Sequence, residues 1–171
     1  MGELAGEMLF AQLALRAAAA PDQCAIPASG MTYAELRDAT EMLAGYMQQR
    51  LNVRAGSGVL LLFDDYPQQA VAAFAIARCG ARTVTFTPGD NARDIAARAA
   101  DSGARAAIAT YVSVPCLVPL LDKGTLYGCI TCGDVPARPG LHDFDDAVSA
   151  GISPLPLIHP LDTWSTKHEL A

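Results

Sequence analysis

The first fifty residues carry apolar side chains at the three- and four-residue steps of helices. Residues 4–20 are rich in Ala and Leu and stop at Pro21, which predicts a surface helix. Thr32 and Glu35 have the spacing of a capping box, in which the hydroxyl and the carboxylate each accept from a backbone amide of the first turn. A second helix therefore begins there, after a short hairpin at residues 24–32. Its inward stripe consists of Leu36, Ala39, Leu43, Tyr46 and Met47, with the basic Arg50 near its end.

From residue 59 onward, short aliphatic strands alternate with helical segments. Residues 59–63 form a continuous aliphatic run bounded by glycines and aspartates, which is typical of a strand buried on both faces and predicts a central strand. Pro67 is suited to a first helical turn, and residues 68–79 are nearly all apolar until Gly80 ends the helix. Further strands are predicted at 83–86, 106–109 and 128–131, and further helices at 91–101 and 114–121.

This alternation predicts an α/β fold with a mostly parallel sheet flanked by helices. The 171 residues, half of them apolar, suit one domain with a proper core. We divide the chain into a surface helix (1–22), an α/β core (23–133) and a Pro-rich, partly irregular tail (134–171). The tail contains prolines at positions 136, 139, 154, 156 and 160.

Composition and charge exclude several classes of protein. Eighteen acidic and twelve basic side chains leave a net charge of −6 without a basic stripe, so nucleic-acid binding is not expected. The apolar runs fall short of the roughly 20 residues of a membrane span, and Glu3 and Glu7 oppose a signal peptide. Gly6 stands where myristoylation of Gly2 would need Ser or Thr. Five cysteines, an odd number, favour a reducing compartment, and we predict a cytoplasmic location.

Asp64 and Asp65 follow the best predicted strand, at the end where open α/β sheets place ligands. Adjacent carboxylates there could hold Mg²⁺, as in a receiver domain of two-component signalling. A receiver also needs a phosphate-accepting aspartate after its third strand, where this chain has Thr110 and Tyr111. The simpler interpretation is that both aspartates are solvated loop residues and that Asp65 helps to cap the following helix.

The remaining candidate residues favour structural roles. Cys129 and Cys132 have C-x-x-C spacing, but in a strand they face opposite sides and lack two further zinc ligands, so we expect small buried fillers. The three histidines, in the tail, are predicted to be solvated loop residues: His142, His159 and His168. Residues 165–167 (Ser-Thr-Lys) lack the glycine that a phosphate loop needs. Trp164 is expected to be a packing plug.

Several segments in order resemble a known family. Pro21-Asp22 with Ala25-Ile26 is similar to its opening strand, and residues 31–36 are similar to its first core motif. Residues 73–88 are similar to its second core motif, with an alanine-rich helix, a glycine turn, a strand and a proline, and residues 101–105 to the segment before the next strand. The chain thus resembles the N-terminal portion of the adenylate-forming ligases: acyl-CoA synthetases, fatty-acyl-AMP ligases and adenylation domains of non-ribosomal peptide synthetases.

The resemblance implies activation of a carboxylic acid by ATP, with Mg²⁺, to an acyl-adenylate and usually transfer to a thiol. It brings no catalytic, cofactor-binding or metal-binding residue onto this chain, because the family's lysine-ended Ser/Thr/Gly-rich loop, ribose-binding aspartate, hinge and late catalytic lysine have no counterpart in it. We therefore expect an incomplete domain, inactive alone, with an open sheet edge and exposed helix faces. It is either an N-terminal fragment of a ligase or a stand-alone relic.

Three kinds of partner remain open for such a chain: the rest of the ligase, a carrier protein, or a second copy of itself. A non-catalytic module of receiver-like outline, for signalling or protein interaction, is the alternative function. The segments that resemble the family do not identify the acid substrate or the acyl acceptor.

Overall fold

The computed structural model describes residues 2–63, 66–87 and 90–156, with side chains from residue 8 onward. Within these ranges the helices are α1 (Gly2–Ala19), α2 (Tyr33–Arg50), α3 (Gln68–Arg78), α4 (Ala92–Asp101), α5 (Val114–Asp122) and α6 (Phe144–Ser149). The strands are β1 (Cys24–Ile26), β2 (Met31–Thr32), β3 (Gly58–Leu62), β4 (Arg82–Phe86), β5 (Ala104–Thr110), β6 (Gly128–Cys132) and β7 (Leu141–Asp143). The predicted alternation of strands and helices is confirmed.

Five of the strands form one parallel sheet in the order β4-β3-β5-β6-β7, and β1 and β2 form a separate antiparallel hairpin. The first crossover leads from β3 outward to β4, and the next returns past β3 to β5. This is the doubly wound order in which the direction of winding reverses between the first and third strands. The α/β fold class predicted from the sequence is therefore correct, and β3 is an internal strand next to the middle strand β5.

Helices cover both faces of the sheet, and each face has its own core. Alternate residues of β3 point to opposite sides, because side chains in a strand alternate: Val59 and Leu61 join one cluster, Leu60 and Leu62 the other. The first cluster lies under α1, α2, α3 and α6, and the second lies under α4 and α5. All five residues of β3 are buried, as the continuous aliphatic run predicted.

Local capping fixes the start of α2 as predicted. The amide of Glu35 donates to Thr32 Oγ1 at 3.3 Å, and the amide of Thr32 donates to Glu35 Oε2 at 2.8 Å. These two bonds satisfy backbone donors that the first turn of a helix leaves free. The Thr32 bonds also hold the pKa of Glu35 below its ordinary value.

The last described part of the chain contains order that the sequence analysis did not predict. Gly140 turns the chain with a φ of 83°, β7 then pairs in parallel with β6, and Asp143 caps α6 by accepting from the Asp146 amide at 3.0 Å. Residues 151–156 then run without regular structure across α2. None of the helices among the described residues is long and apolar enough to cross a membrane.

The outer edge of the sheet at β4 is partly covered by a side chain of the neighbouring helix. Arg98 of α4 donates to the backbone carbonyl of Thr85 at 3.0 Å, and its guanidinium lies 4.3 Å from the centre of the Phe86 ring. A charged side chain that covers an edge strand discourages that strand from pairing with another chain. The short β7 lies at the opposite edge.

Candidate functional site

The carboxyl ends of three parallel strands define the candidate site. Leu62 of β3 pairs with Ala109 of β5, and Thr110 of β5 pairs with Cys132 of β6, so these strands end at one edge. Helix α3, which follows β3, packs on one face of the sheet, whereas α5, which follows β5, packs on the other. Diverging helices leave a crevice at this switch point, where ligands bind in open α/β sheets.

Aromatic side chains follow the ends of β3 and β5, next to this crevice. The buried Phe63 ring meets the half-exposed Tyr66 ring edge-on, with centroids 6.4 Å apart. Tyr111 lies against Gly133, where the backbone has a φ of 96° and a Cβ would come within 2.9 Å of Tyr111 Cδ1. Glycine at position 133 therefore serves both the turn and the close approach of the ring. Neither aromatic pair supplies a base or a nucleophile.

Two polar groups next to this edge are buried without a partner among the described residues. They are the hydroxyl of Thr110, the last residue of β5, and Oε1 of Gln68, the first residue of α3. A buried hydroxyl or amide oxygen costs free energy when no hydrogen bond satisfies it. The described part of the crevice thus offers hydrogen-bonding capacity and ring surface, which suit positioning of a bound group.

Asp64 and Asp65 lie outside the described residues, so the magnesium site and the cap at Asp65 remain predictions. Among the residues that the structure describes, no three His, Cys, Asp or Glu side chains come together as a metal site would require. Two arginines near the outer strand β4 donate to backbone carbonyls. Arg82 donates to the Ser102 carbonyl at 2.9 Å, and Arg98 donates to the Thr85 carbonyl at 3.0 Å.

The C-x-x-C pair does not form a joint site. Cys129 packs in the core under α4 and α5, while Cys132 packs in the core on the opposite face of the sheet, as predicted from the strand alternation. Burial raises the pKa of both thiols, that of Cys132 to about 12. Because the thiolate is the form that binds metals and attacks disulfides, both cysteines are unreactive at neutral pH. The predicted burial of both cysteines is confirmed.

The prediction that His142 is a solvated loop residue is wrong. His142 lies in β7 and is half-buried, and its Nδ1 is 2.8 Å from the hydroxyl of Tyr46 on α2. Its Nε2 side faces Gly128, where a Cβ would come within 2.9 Å of that nitrogen. Burial lowers the pKa of His142 and raises that of Tyr46, so both groups are uncharged at neutral pH. Sequence analysis missed this pair because its members are 96 positions apart.

The other tail candidates, His159, His168, Trp164 and residues 165–167, lie outside the described residues. The signal for the β7–α6 unit was present in the sequence: a glycine at 140, an Asp at 143 three residues before Asp146, and apolar Phe144 and Ala147 at helical spacing. Because prolines flank the β7–α6 unit, we predicted irregular structure there.

Comparison with known proteins finds a matching family and similar sequences. The family model described as "AMP-binding enzyme" matches residues 13–161. A 4-coumarate–CoA ligase-like protein of Oryza sativa subsp. japonica is 35% identical over 113 residues, which is 66% of this chain and 19% of that protein. A long-chain-fatty-acid–CoA ligase of Escherichia coli O6:H1 is 32% identical over 93 residues, 54% of this chain and 17% of that protein. The chain thus spans less than one fifth of the length of these relatives.

Solved structures show the same fold. The crystal structure of the anthranilate CoA ligase AuaEII in complex with anthranoyl-AMP superposes with a TM-score of 0.75 at 20% identity, over 85% of this chain and 28% of that chain. The strand order alone would also fit a receiver, but the comparisons give that alternative no support. With a model match over most of its length and the two core motifs in place, this chain belongs to the AMP-binding enzyme family.

Proposed function

We propose that this chain provides the N-terminal α/β scaffold of an ATP-dependent ligase that activates a carboxylic acid as an acyl-adenylate. The observation that carries the proposal is the family match over residues 13–161, on a sheet whose order and flanking helices agree with adenylate-forming ligases. The names of the relatives refer to different acids, a coumarate, long fatty acids and anthranilate, so the substrate class that we propose is a carboxylic acid of unspecified side chain.

We further propose that these 171 residues do not catalyse the reaction alone. Transfer from ATP depends on positioning and on neutralising the charge of the phosphates. The sequence contains no Ser/Thr/Gly-rich loop ending in lysine. Arg54 is held in a structural contact, because it donates to the backbone carbonyls of Gln48 and Val53 at 2.6 and 3.1 Å. In this proposal MgATP and the reacting groups belong to the complete ligase.

The partners that fit this proposal are the remaining part of the ligase and a carrier protein that receives the acyl group. A cytoplasmic location fits five cysteines that are all free thiols in the structure. The proposal takes two forms. The chain is either a fragment of a ligase or a stand-alone relic that keeps only the scaffold.

An exchange assay tests the inactivity. Purified chain is incubated with ATP, Mg²⁺, labelled pyrophosphate and a panel of fatty, aryl and amino acids, and a complete ligase of the family serves as the positive control. We expect incorporation of label into ATP at the level of the protein-free blank. Acid-dependent exchange above that level would overturn the claim that the chain is inactive alone.

The transcript distinguishes the two forms of the proposal. We expect the RNA beyond codon 171 to encode, in one of its frames, a Ser/Thr/Gly-rich loop that ends in lysine. Unrelated sequence there would favour the relic over the ligase fragment.

A further inference from the structure

Residues 151–156 form an extended strap that crosses α2. The strap has the sequence Gly-Ile-Ser-Pro-Leu-Pro and runs without regular secondary structure. A residue that precedes proline is restricted to extended conformations, and this restriction applies to both Ser153 and Leu155. Because proline has no backbone N–H, these two residues carry the only backbone donors between positions 153 and 156. The strap therefore presents an extended backbone whose polar groups need partners outside the strap.

Three residues of α2 contact this backbone, and we call them the track: Gly45, Gln48 and Gln49. Nε2 of Gln49 donates to the carbonyl of Ser153 at 2.7 Å. Gln48 contacts both backbone groups of Leu155, since its Oε1 accepts from the amide at 2.6 Å and its Nε2 donates to the carbonyl at 3.4 Å. An edge residue of a β-strand pairs with a neighbouring strand through the same two groups. The track thus recognises the backbone of the strap.

Close packing makes the track selective for an extended backbone. With the strap bound, Gln48 is only 5% exposed, and a buried side-chain amide without partners costs free energy. A bound segment must therefore present both an N–H and a C=O to Gln48. A Cβ at Gly45 would overlap the carbonyl oxygen of Ile152, so glycine is what allows the backbone to lie directly on the helix.

The strap buries little apolar surface of its own. Four of its six residues are exposed, and 43% of Leu155 is accessible. Gly151, which joins the strap to the end of α6, has a φ of 66°, a conformation that favours glycine. Segments with few buried apolar contacts open more readily than the core. The strap can therefore leave the track by rotation at residue 151 while the sheet stays folded.

We propose that the track on α2 is a binding site for an extended segment of a partner protein in which one non-proline residue stands between two prolines, and that the strap occupies this site in cis. The bound strap shows what the track accepts: an N–H and a C=O at the middle residue and a C=O two residues earlier. Flanking prolines reduce the conformational entropy that such a segment loses on binding. The exposed Leu155 side chain indicates that the middle residue can vary.

The bound strap also sets a scale for the affinity. A segment on a short tether has an effective concentration of about millimolar order. The strap remains bound in cis only if the same segment binds in trans with a Kd at or below that concentration. The site is therefore weak, and a partner has to compete with the strap.

A titration with a synthetic peptide tests the site. The peptide acetyl-Ala-Gly-Ile-Ser-Pro-Leu-Pro-amide repeats residues 150–156. It is added to the full chain with the substitution Leu155→Pro, which removes the amide donor of the strap and leaves the track unchanged. We expect the side-chain amide signals of Gln48 and Gln49 to shift in nitrogen–proton correlation spectra, because the peptide replaces the strap.

Matched controls separate the track from the rest of the surface. The side-chain amide signals of the exposed Gln12 and Gln23, which lie outside the track, should not move. Leu155→Ala keeps the backbone amide, so its strap stays bound and the apparent affinity for the peptide should be at least about tenfold weaker than in Leu155→Pro. Far-UV circular dichroism checks that both variants fold.

A modified peptide tests backbone recognition without altering the protein. Methylation of the leucine nitrogen of the peptide removes the donor to Gln48 and should weaken binding by at least about tenfold. Equal binding of the methylated peptide, equal affinity of Leu155→Pro and Leu155→Ala, or unshifted signals at peptide concentrations well above millimolar would overturn the proposal. Wild-type dimers that the peptide dissociates would assign the track to the strap of a second copy and would equally overturn it.

Discussion

The hydroxyl of Tyr46 on α2 and Nδ1 of His142 on β7 lie 2.8 Å apart, and the two rings meet edge-on with centroids separated by 5.6 Å. This contact joins β7 to a helix that lies much earlier in the sequence. With Nδ1 unprotonated, the tyrosine hydroxyl donates to it. The neighbouring charged groups are Arg50 and Asp146, which act on the pKa of Tyr46 in opposite directions.

The contact predicts a pH dependence of stability with a definite sign. Burial lowers the pKa of His142 from 6.5, so the unfolded chain binds the proton more readily than the folded chain. The stabilisation is complete above pH 6.5 and is lost as the pH falls through the lower, folded-state value. In a background with His159 and His168 changed to asparagine, thermal unfolding between about pH 7.5 and 5.5 should show a falling midpoint. His142→Asn should flatten this slope, and an unchanged slope would assign it to other groups.

The Tyr46 hydroxyl should contribute a modest amount to the free energy of unfolding. Tyr46→Phe removes one partly buried hydrogen bond and is expected to cost about 0.5–1.5 kcal/mol in urea unfolding. Tyr127→Phe is the control, because the exposed Tyr127 hydroxyl makes only a 3.4 Å contact with Arg105. Equal effects of the two substitutions would contradict a special role for the pair.

Gly45 should be required for the path of residues 151–156 over α2. A Cβ at Gly45 would overlap the backbone of Ile152, and this segment is held nearby by Gln49 Nε2 donating to the Ser153 carbonyl at 2.7 Å and by Leu155 N donating to Gln48 Oε1 at 2.6 Å. Gly45→Ala gains about 1 kcal/mol of helix propensity. We nevertheless expect net destabilisation of about 1–3 kcal/mol, because the backbone must move.

Hydrogen exchange locates the effect of Gly45→Ala. Exchange should accelerate in residues 151–156 under conditions where local opening dominates, whereas β3, which lies deep in the sheet, should change only by the loss of global stability. Asp38→Ala, on an exposed part of the same helix, controls for substitution in α2 as such. A more stable Gly45→Ala variant would show that the segment does not lie against Gly45 in solution.

The cysteines should react in an order set by burial. Cys24 is exposed, Cys116 is partly buried, and Cys79, Cys129 and Cys132 are buried. Burial raises the pKa of Cys79 to about 12 as well. At neutral pH a colorimetric disulfide reagent should modify Cys24 quickly and Cys116 more slowly, and all five thiols only in denaturant. Rapid reaction of Cys129 or Cys132 in the folded protein would reopen a redox role.

Signals that act over a few residues were sufficient to predict most of the scaffold. Thr32 and Glu35 determine the start of α2 by themselves, and the aliphatic run of β3 is long enough to distinguish a buried strand. Short elements whose stability comes from distant partners were missed. The three residues of β7 become a strand because β6 is beside them, and His142 is half-buried because Tyr46 and Gly128 receive its ring.

The candidate site was predictable in outline only. The carboxyl end of β3 was predicted from the sequence to be the ligand edge, because parallel strands with crossover helices place their ligands there. Its described lining could not be predicted, since it depends on close approaches such as that of Tyr111 to Gly133. The family resemblance was confirmed by the match over residues 13–161.

Two helix caps should differ in how far their loss spreads. Thr32 caps the long helix α2, which packs in the first core, whereas Asp143 caps the six-residue α6 next to an edge strand. Thr32→Ala and Asp143→Ala should each cost about 1 kcal/mol by urea unfolding. In native-state exchange, Thr32→Ala should lower protection in the sheet and leave residues 141–156 unchanged, because that unit has few neighbours beyond α2 and β6 and opens while α2 stays folded. Asp143→Ala should lower protection in residues 141–156 as well as in the sheet, since its cap is lost in both openings. Lowered protection of residues 141–156 in Thr32→Ala would show that β7 and α6 unfold only together with the rest of the molecule.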